Sequence, residues 1–198
     1  MDKDTRTKLI EIATKLFATK GFFAVSVREV TSIAQVNVSA ISYYFQSKEG
    51  LYQEVLKNQL KPVLEALDLV EKQIGLSAME RFRFFANQVA KVHLNYPYLT
   101  RFMMNEVTSP TEYGGAIVEN QSSKVYRFIY QTIKAGVEDG EFKSDLDIPH
   151  TAFSLAGMMI FYFVTKPIRN KIMPNEENSV DTYLTNVLKN YLYGIASE

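Results

Sequence analysis

No cysteine occurs anywhere in the 198 residues. That removes disulfide frameworks, thiol nucleophiles and cysteine-ligated metals, and it fits a reducing compartment. Histidine is scarce, with His93 and His150 the two present. A carboxylate-bridged metal centre in a helical bundle needs Glu-x-x-His on inward faces, and no glutamate here is followed by histidine three residues on. Asp147 and His150 have that spacing, but they bracket Pro149 at a helix start, where Asp147 is better suited to capping. A glycine-rich phosphate loop and a Gly-x-Ser-x-Gly elbow are missing too. The chain is therefore expected not to be an enzyme and to need no metal or cofactor. Long apolar stretches are also absent: the longest, Leu155 to Val164, has ten residues, well short of the roughly 20 needed to cross a bilayer. The opening MDKDTRTK has no apolar signal region. A soluble cytoplasmic protein with no membrane partner is the expectation.

Net charge is zero, yet it is unevenly spread. Through Lys61 nine lysines and arginines face six acidic residues, +3, which leaves thirteen against sixteen, −3, for the rest. The basic end is the one where a polyanion would be met, although an excess this small would need two copies to give a strongly salt-dependent affinity.

The pattern of apolar residues is helical throughout. Leu9, Ile12, Ala13, Leu16 and Phe17 recur at the spacing of one helix face, and Gly21 sits where a left-handed residue would end a helix over about 4–20. Ser26 followed by Glu29 matches a capping box, predicting a second helix from Val27 to about Gln35, with Val27, Val30 and Ala34 inward and Arg28 toward solvent. Asn37 can cap a third helix starting near Val38. In it, Ile41, Tyr44 and Phe45 share an inward face. Val38, Ser39, Ser42 and Tyr43 are left outside, and a face of small residues plus one tyrosine suits entry into a major groove, where bulk would block the base edges. Ser47 supplies a further cap, with Lys48 in the first turn beside it and Gly50 two residues on. A helix N-terminus next to a lysine suits a phosphate.

The stretches TRTKLIEIATKLFATKGF, SVREV and VNVSAISYYFQSKEGLY together resemble the N-terminal domain of TetR-family transcriptional regulators over residues 5–52. Two positions depart from the commonest pattern: Gln35 stands where the turn usually has Gly, and Thr31 where the second helix usually has Ala. A left-handed Gln35 would cost about 1 kcal/mol. The resemblance implies a helix-turn-helix domain over 1–47 and a helical ligand-binding and dimerisation domain over 48–198, an all-α fold of about nine helices. DNA contacts are expected from Arg28, Asn37, Val38, Ser39, Ser42, Tyr43, Tyr44 and Lys48, the groove from Tyr43 and Ser39 above all, phosphates from Arg28, Tyr44 and Lys48. The partner would be a palindromic double-stranded operator, and the likeness implies repression relieved by a small molecule.

Beyond residue 52 a long helix absorbs Pro62, where a bend is expected, and ends before Gly75 and Ser77. Further helices are predicted at 77–95, 98–106, 116–138, 148–166 and 179–196. The joints are Pro97, TSPTEYGG at 108–115, DGEFKSDLDIP at 139–149 and KPIRNKIMPNEEN at 166–178. Segment 152–164, AFSLAGMMIFYFV, is apolar nearly all round and calls for burial on every side, of which one monomer's core can cover only part. The final helix offers a second stripe in Val180, Tyr183, Leu184, Val187, Leu188, Tyr191 and Leu192. In the TetR family the last two long helices usually form a four-helix interface, which implies a homodimer through about 150–166 and 179–196. Candidate ligand residues for a largely apolar or aromatic effector are Phe82, Phe85, Val89, Tyr98, Phe102, Met103, Tyr126, Tyr130, Met159 and Tyr162, with His93, Arg101 and Glu106 as polar groups to orient it. PYLTRFMMNEVTSPTE, at 97–112, is similar to a pattern in the subgroup that senses drugs or other foreign compounds. The alternative is a helical ligand- or partner-binding protein with a degenerate DNA-binding domain, for which Gln35 is the sequence hint.

Overall fold

The computed structural model describes residues 2–172 and 180–196. Ser179, and the residues of the 166–178 joint from Met173 on, lie outside them. Among the described residues there are ten helices: α1 (Asp2–Lys20), α2 (Val27–Ala34), α3 (Ser39–Phe45), α4 (Lys48–Glu71), α5 (Ala78–Asn95), α6 (Leu99–Thr108), α7 (Gly115–Glu138), α8 (Ile148–Val164), α9 (Lys166–Ile172) and α10 (Val180–Ile195). The all-α expectation holds. The departure is α9, which occupies the first part of a segment read as a joint. Pro167 falls in the first turn of α9, where its missing N–H has no intrahelical partner to lose. Ile168 and Arg169 then donate their N–H groups back to the Thr165 carbonyl at 2.9 and 2.8 Å.

The chain forms two compact units, Met1–Lys61 with Tyr96–Asn120, and Pro62–Asn95 with Gln121–Glu198. The end of the three-helix segment at residue 47 is thus not where the units part. The first unit continues along α4 as far as Pro62, which lies inside that helix, and it takes in α6.

In the first unit α1 buries Leu9, Ala13 and Phe17, and Gly21 ends it at φ 82°. Ser26 Oγ accepts from Glu29 N–H at 3.1 Å to open α2, while the Glu29 carboxylate accepts from Lys20 at 2.5 Å. Val30 and Ala34 are buried, with Val27 half-buried. Thr31 is buried as well, and its hydroxyl is satisfied by the carbonyls of Val27 and Arg28. Gln35 does take the left-handed conformation, φ 56° and ψ 44°, and its N–H closes the end of α2. The turn therefore forms without the glycine.

The second unit is built around Phe82, Phe85, Val89, Phe128, Ile129, Ile133, Leu155, Met159, Tyr162, Leu184 and Leu188. Both halves of a capping box open α5: Ser77 N–H donates to the Glu80 carboxylate at 2.9 Å and Glu80 N–H to Ser77 Oγ at 3.2 Å. Asp147 caps α8 by accepting from His150 N–H at 3.2 Å, as its place before Pro149 suggested. The α10 tyrosines tie back to α8, Tyr183 donating to the Met158 carbonyl at 2.7 Å and Tyr191 to that of Thr151 at 2.9 Å. Within the single chain, only part of 152–164 is covered. Leu155, Met159 and Tyr162 face the core, but Phe153 and Phe161 are 73% and 60% exposed.

Candidate nucleic-acid interface

The site is assembled by three short devices. Asn37 Oδ1 accepts from Ser39 N–H at 2.8 Å, so Asn37 caps the helix as expected, while α3 begins at Ser39, one residue later than predicted, with Val38 already helical in backbone. A cap of this kind stabilises a helix by about 1 kcal/mol. Ile41 and Phe45 are buried and hold α3 to the unit. Ser47 Oγ accepts from Gly50 N–H at 3.1 Å and opens α4.

What remains outward is the expected face. Ser39 and Ser42 are exposed, Val38 is half-exposed, and Tyr43 is 74% exposed. Tyr44 is half-buried rather than fully inward; its ring meets that of Tyr43 edge-on, with centroids 4.8 Å apart, so it braces the outward tyrosine. Arg28 is exposed on α2. The Lys48 ammonium lies 4.4 Å from the centroid of the Phe22 ring, an attraction of cation to π-face that holds the charge beside the α4 N-terminus.

The sequence places Gly50 two residues after Lys48 but gives no reason for a glycine there. A Cβ there would stand 2.0 Å from the Phe45 carbonyl oxygen, so α4 approaches the last turn of α3 in a way only glycine allows.

The residues predicted for an effector divide between the units. Arg101, Phe102, Met103 and Glu106 belong to the first. There Arg101 is exposed and donates to the Thr19 carbonyl at 3.3 Å, Phe102 is buried, Met103 is half-buried, and Glu106 is engaged by Tyr52 and Thr111. Tyr98, in the same unit, precedes α6. In the second unit Phe82, Phe85, Val89, Met159 and Tyr162 are buried in its core and Tyr126 and Tyr130 are half-buried. His93 stacks on Phe163, with centroids 3.7 Å apart and planes at 13°. Burial pushes its imidazole down to about 4, so it is neutral at physiological pH. Open clefts in this unit are lined by other residues. One of about 350 Å³ has Asp68 and Glu71 of α4 facing Lys124 and Arg127 of α7 over Phe128; a second of about 290 Å³ shares Glu71 and Phe128 and adds Arg81. No periodicity argument reaches these, because the charged residues belong to the solvent faces of two helices.

No helix among the described residues is long and apolar enough to cross a membrane. Residues 9–55 match the family model for bacterial regulatory proteins of the tetR family, and residues 75–163 match the tetracyclin repressor-like C-terminal domain. The chain is 30% identical over 168 residues to the Probable HTH-type transcriptional regulator YttP of Bacillus subtilis, covering 83% of this chain and 79% of that one. It is 24% identical over 163 residues to the HTH-type transcriptional repressor NicS of Pseudomonas putida, with 80% and 75% covered. Among solved structures it superposes on the TetR family transcriptional regulator PfmR from Thermus thermophilus with a TM-score of 0.77, at 18% identity and 98% coverage of both chains. A capped helix with a small-residue outer face, set in a matched N-terminal domain that a matched C-terminal one follows in the sequence, leads to one conclusion: this chain belongs to the TetR family and is a DNA-binding transcriptional regulator.

Proposed function

We propose that the protein works in the cytoplasm as a homodimeric repressor that grips a palindromic operator and lets go when a small molecule binds its body. The observation that carries the DNA part is the outward face of α3, where Ser39, Ser42 and Tyr43 stand clear of the core and Val38 beside them. Tyr43 and Ser39 read base edges, and Arg28, Tyr44 and Lys48 meet phosphates around them. A two-fold dimer fits one operator when its two copies of α3 lie about 34–36 Å apart, one turn of DNA.

Dimerisation is supported by Phe153 and Phe161 on α8. They lie two turns apart on one face, with Gly157 between them, and a Cβ on Gly157 would meet nothing within 4 Å. Two large apolar side chains flanking an open glycine are costly to leave in water and suit a second copy of the same face. With α10 beside it on the same unit, this face belongs to the proposed interface through about 150–166 and 179–196.

Effector control follows from linkage. A ligand that binds the DNA-incompetent state better lowers operator affinity by that same ratio. The covalent path runs along α4, which leads from the end of α3 through Pro62 into the second unit. An effector with apolar or aromatic surface suits the residues there, though its identity is open to screening by thermal shift.

The direct test is binding at several salt concentrations. Replacing Lys48 by Ala should weaken binding to every duplex and flatten the dependence of log affinity on log salt by about two contacts per dimer, one from each copy. An unchanged slope would remove Lys48 from the phosphate contacts.

A further inference from the structure

The sequence offered Glu106 as a polar group for a ligand, but both of its oxygens are already used inside the DNA-reading unit. Glu106 is 4% exposed and Tyr52 3%. The Tyr52 hydroxyl donates to Glu106 Oε1 at 2.5 Å, and the Thr111 N–H donates to Oε2 at 2.8 Å. The Thr111 hydroxyl lies 3.1 Å from each oxygen and in turn accepts from Gly114 N–H at 3.0 Å. Gly114 leaves room for nothing larger, since a Cβ would come within 2.6 Å of the Glu106 carboxyl carbon. A buried carboxylate is tolerable only when donors surround it in this way.

The other end of the network lies at the start of α4, the helix that follows the recognition helix. Tyr52 is in the first turns of α4, two residues after Gly50, which touches the Phe45 carbonyl. Its ring packs edge-on to Phe17 at 5.1 Å and against Phe22 at 4.8 Å, and Phe22 carries the Lys48 ammonium. All of these residues belong to one compact unit. Tyr52 thus has one fixed rotamer with a charged acceptor at its tip, and the start of α4 is fixed with it.

We propose that Glu106 and Tyr52 are positioning residues for DNA reading, holding the first turns of α4 and, through the contact of Gly50 with Phe45, the pose of α3. This rests on the reading of α3 as the DNA-reading helix. Tyr52→Phe removes the hydroxyl and keeps the ring. Glu106→Gln keeps the shape but replaces one accepting oxygen by an NH2 group: with the amide oxygen on the Thr111 N–H, the Tyr52 hydroxyl must turn from donor to acceptor and loses its charged partner.

The experiment uses the full chain with two probes: a duplex that the wild-type protein enriches from random DNA, and a random-sequence duplex of equal length. Binding is measured at a temperature where circular dichroism finds each variant folded. Both variants should lose about tenfold or more in affinity for the enriched duplex and no more than about twofold for the random one. The double variant should be no worse than the poorer single one. A purely structural role would lower the melting temperature and leave the ratio of the two affinities unchanged, and that result would overturn the proposal. Should either variant fail to fold, Thr111→Val, which removes one hydroxyl and keeps the volume and backbone donor, is judged by the same ratio. If the wild-type protein enriches no sequence, the reading of α3 fails and takes this inference with it. Enrichment by the wild type with unchanged variants sinks this inference alone.

Discussion

Gly50 and Phe45 touch through backbone alone: the hydrogen on the Gly50 α-carbon occupies the place where a Cβ would lie 2.0 Å from the Phe45 carbonyl oxygen. Neither atom can move without moving its helix. Gly50→Ala should therefore push the start of α4 away from the end of α3, at a cost of about 1–3 kcal/mol in stability, as overpacking usually exacts. Specific DNA binding should fall with it. Thermal melting together with affinity for a selected duplex checks this, and an alanine variant with wild-type values in both would show that the joint has slack.

Gln35 occupies a left-handed conformation at φ 56°, which an L side chain adopts at a cost that glycine escapes. Gln35→Gly should stabilise the DNA-reading unit by about 1 kcal/mol. Chemical denaturation reads this as a higher midpoint at an unchanged slope. A lower midpoint would mean that the glutamine side chain contributes contacts worth more than the strain.

This turn illustrates what could be read from the sequence and what could not. The caps at Ser26, Asn37, Ser47 and Asp147, the glycine stop at Gly21 and the inward Ile41 and Phe45 were all legible, because each depends on residues within four positions of one another. So was the outward face of α3. Tyr52 with Glu106 was not: the pair is separated by 54 residues, and nothing local distinguishes a carboxylate that will be buried from one that will not. Tyr44 is half-buried against Tyr43, short of the fully inward place that its spacing from Ile41 suggests. The helix α9 falls in a polar stretch that reads as a joint, and Pro167 stands in its first turn, where proline suits a helix start.

His93 is neutral in the folded chain, its imidazole brought down to about 4 from an ordinary 6.5 by burial. The unfolded chain binds a proton below about 6.5 and the folded one does not until about 4, so stability present above pH 6.5 is lost as pH falls through that window. The loss should be about 1–3 kcal/mol. His93→Phe keeps a ring against Phe163 and removes the titration. Unfolding followed from pH 7 to pH 4 should show a smaller decline in the variant than in the wild type; equal declines would locate the pH dependence elsewhere.

Phe161 is 60% exposed on a helix that is otherwise apolar, and its burial is assigned to a second copy of the chain. Phe161→Asp should convert the dimer into a monomer, since an aspartate facing its own symmetry mate combines lost apolar burial with like-charge repulsion. Sedimentation velocity reads the change directly. A wild-type protein that sediments as a monomer at all concentrations tested, or a variant that remains dimeric, would rule this face out.

The central claim is that α3 reads sequence with Tyr43. It is tested most directly by selecting bound sequences from random duplex DNA with the wild-type protein and with Tyr43→Ala in parallel. The expected result is a palindrome enriched by the wild type, with the same half-site spacing but altered base preference for the variant, because a groove contact sets which bases are favoured and the dimer sets their separation. Identical preferred sequences from the two proteins, or no enrichment by the wild type, would contradict it.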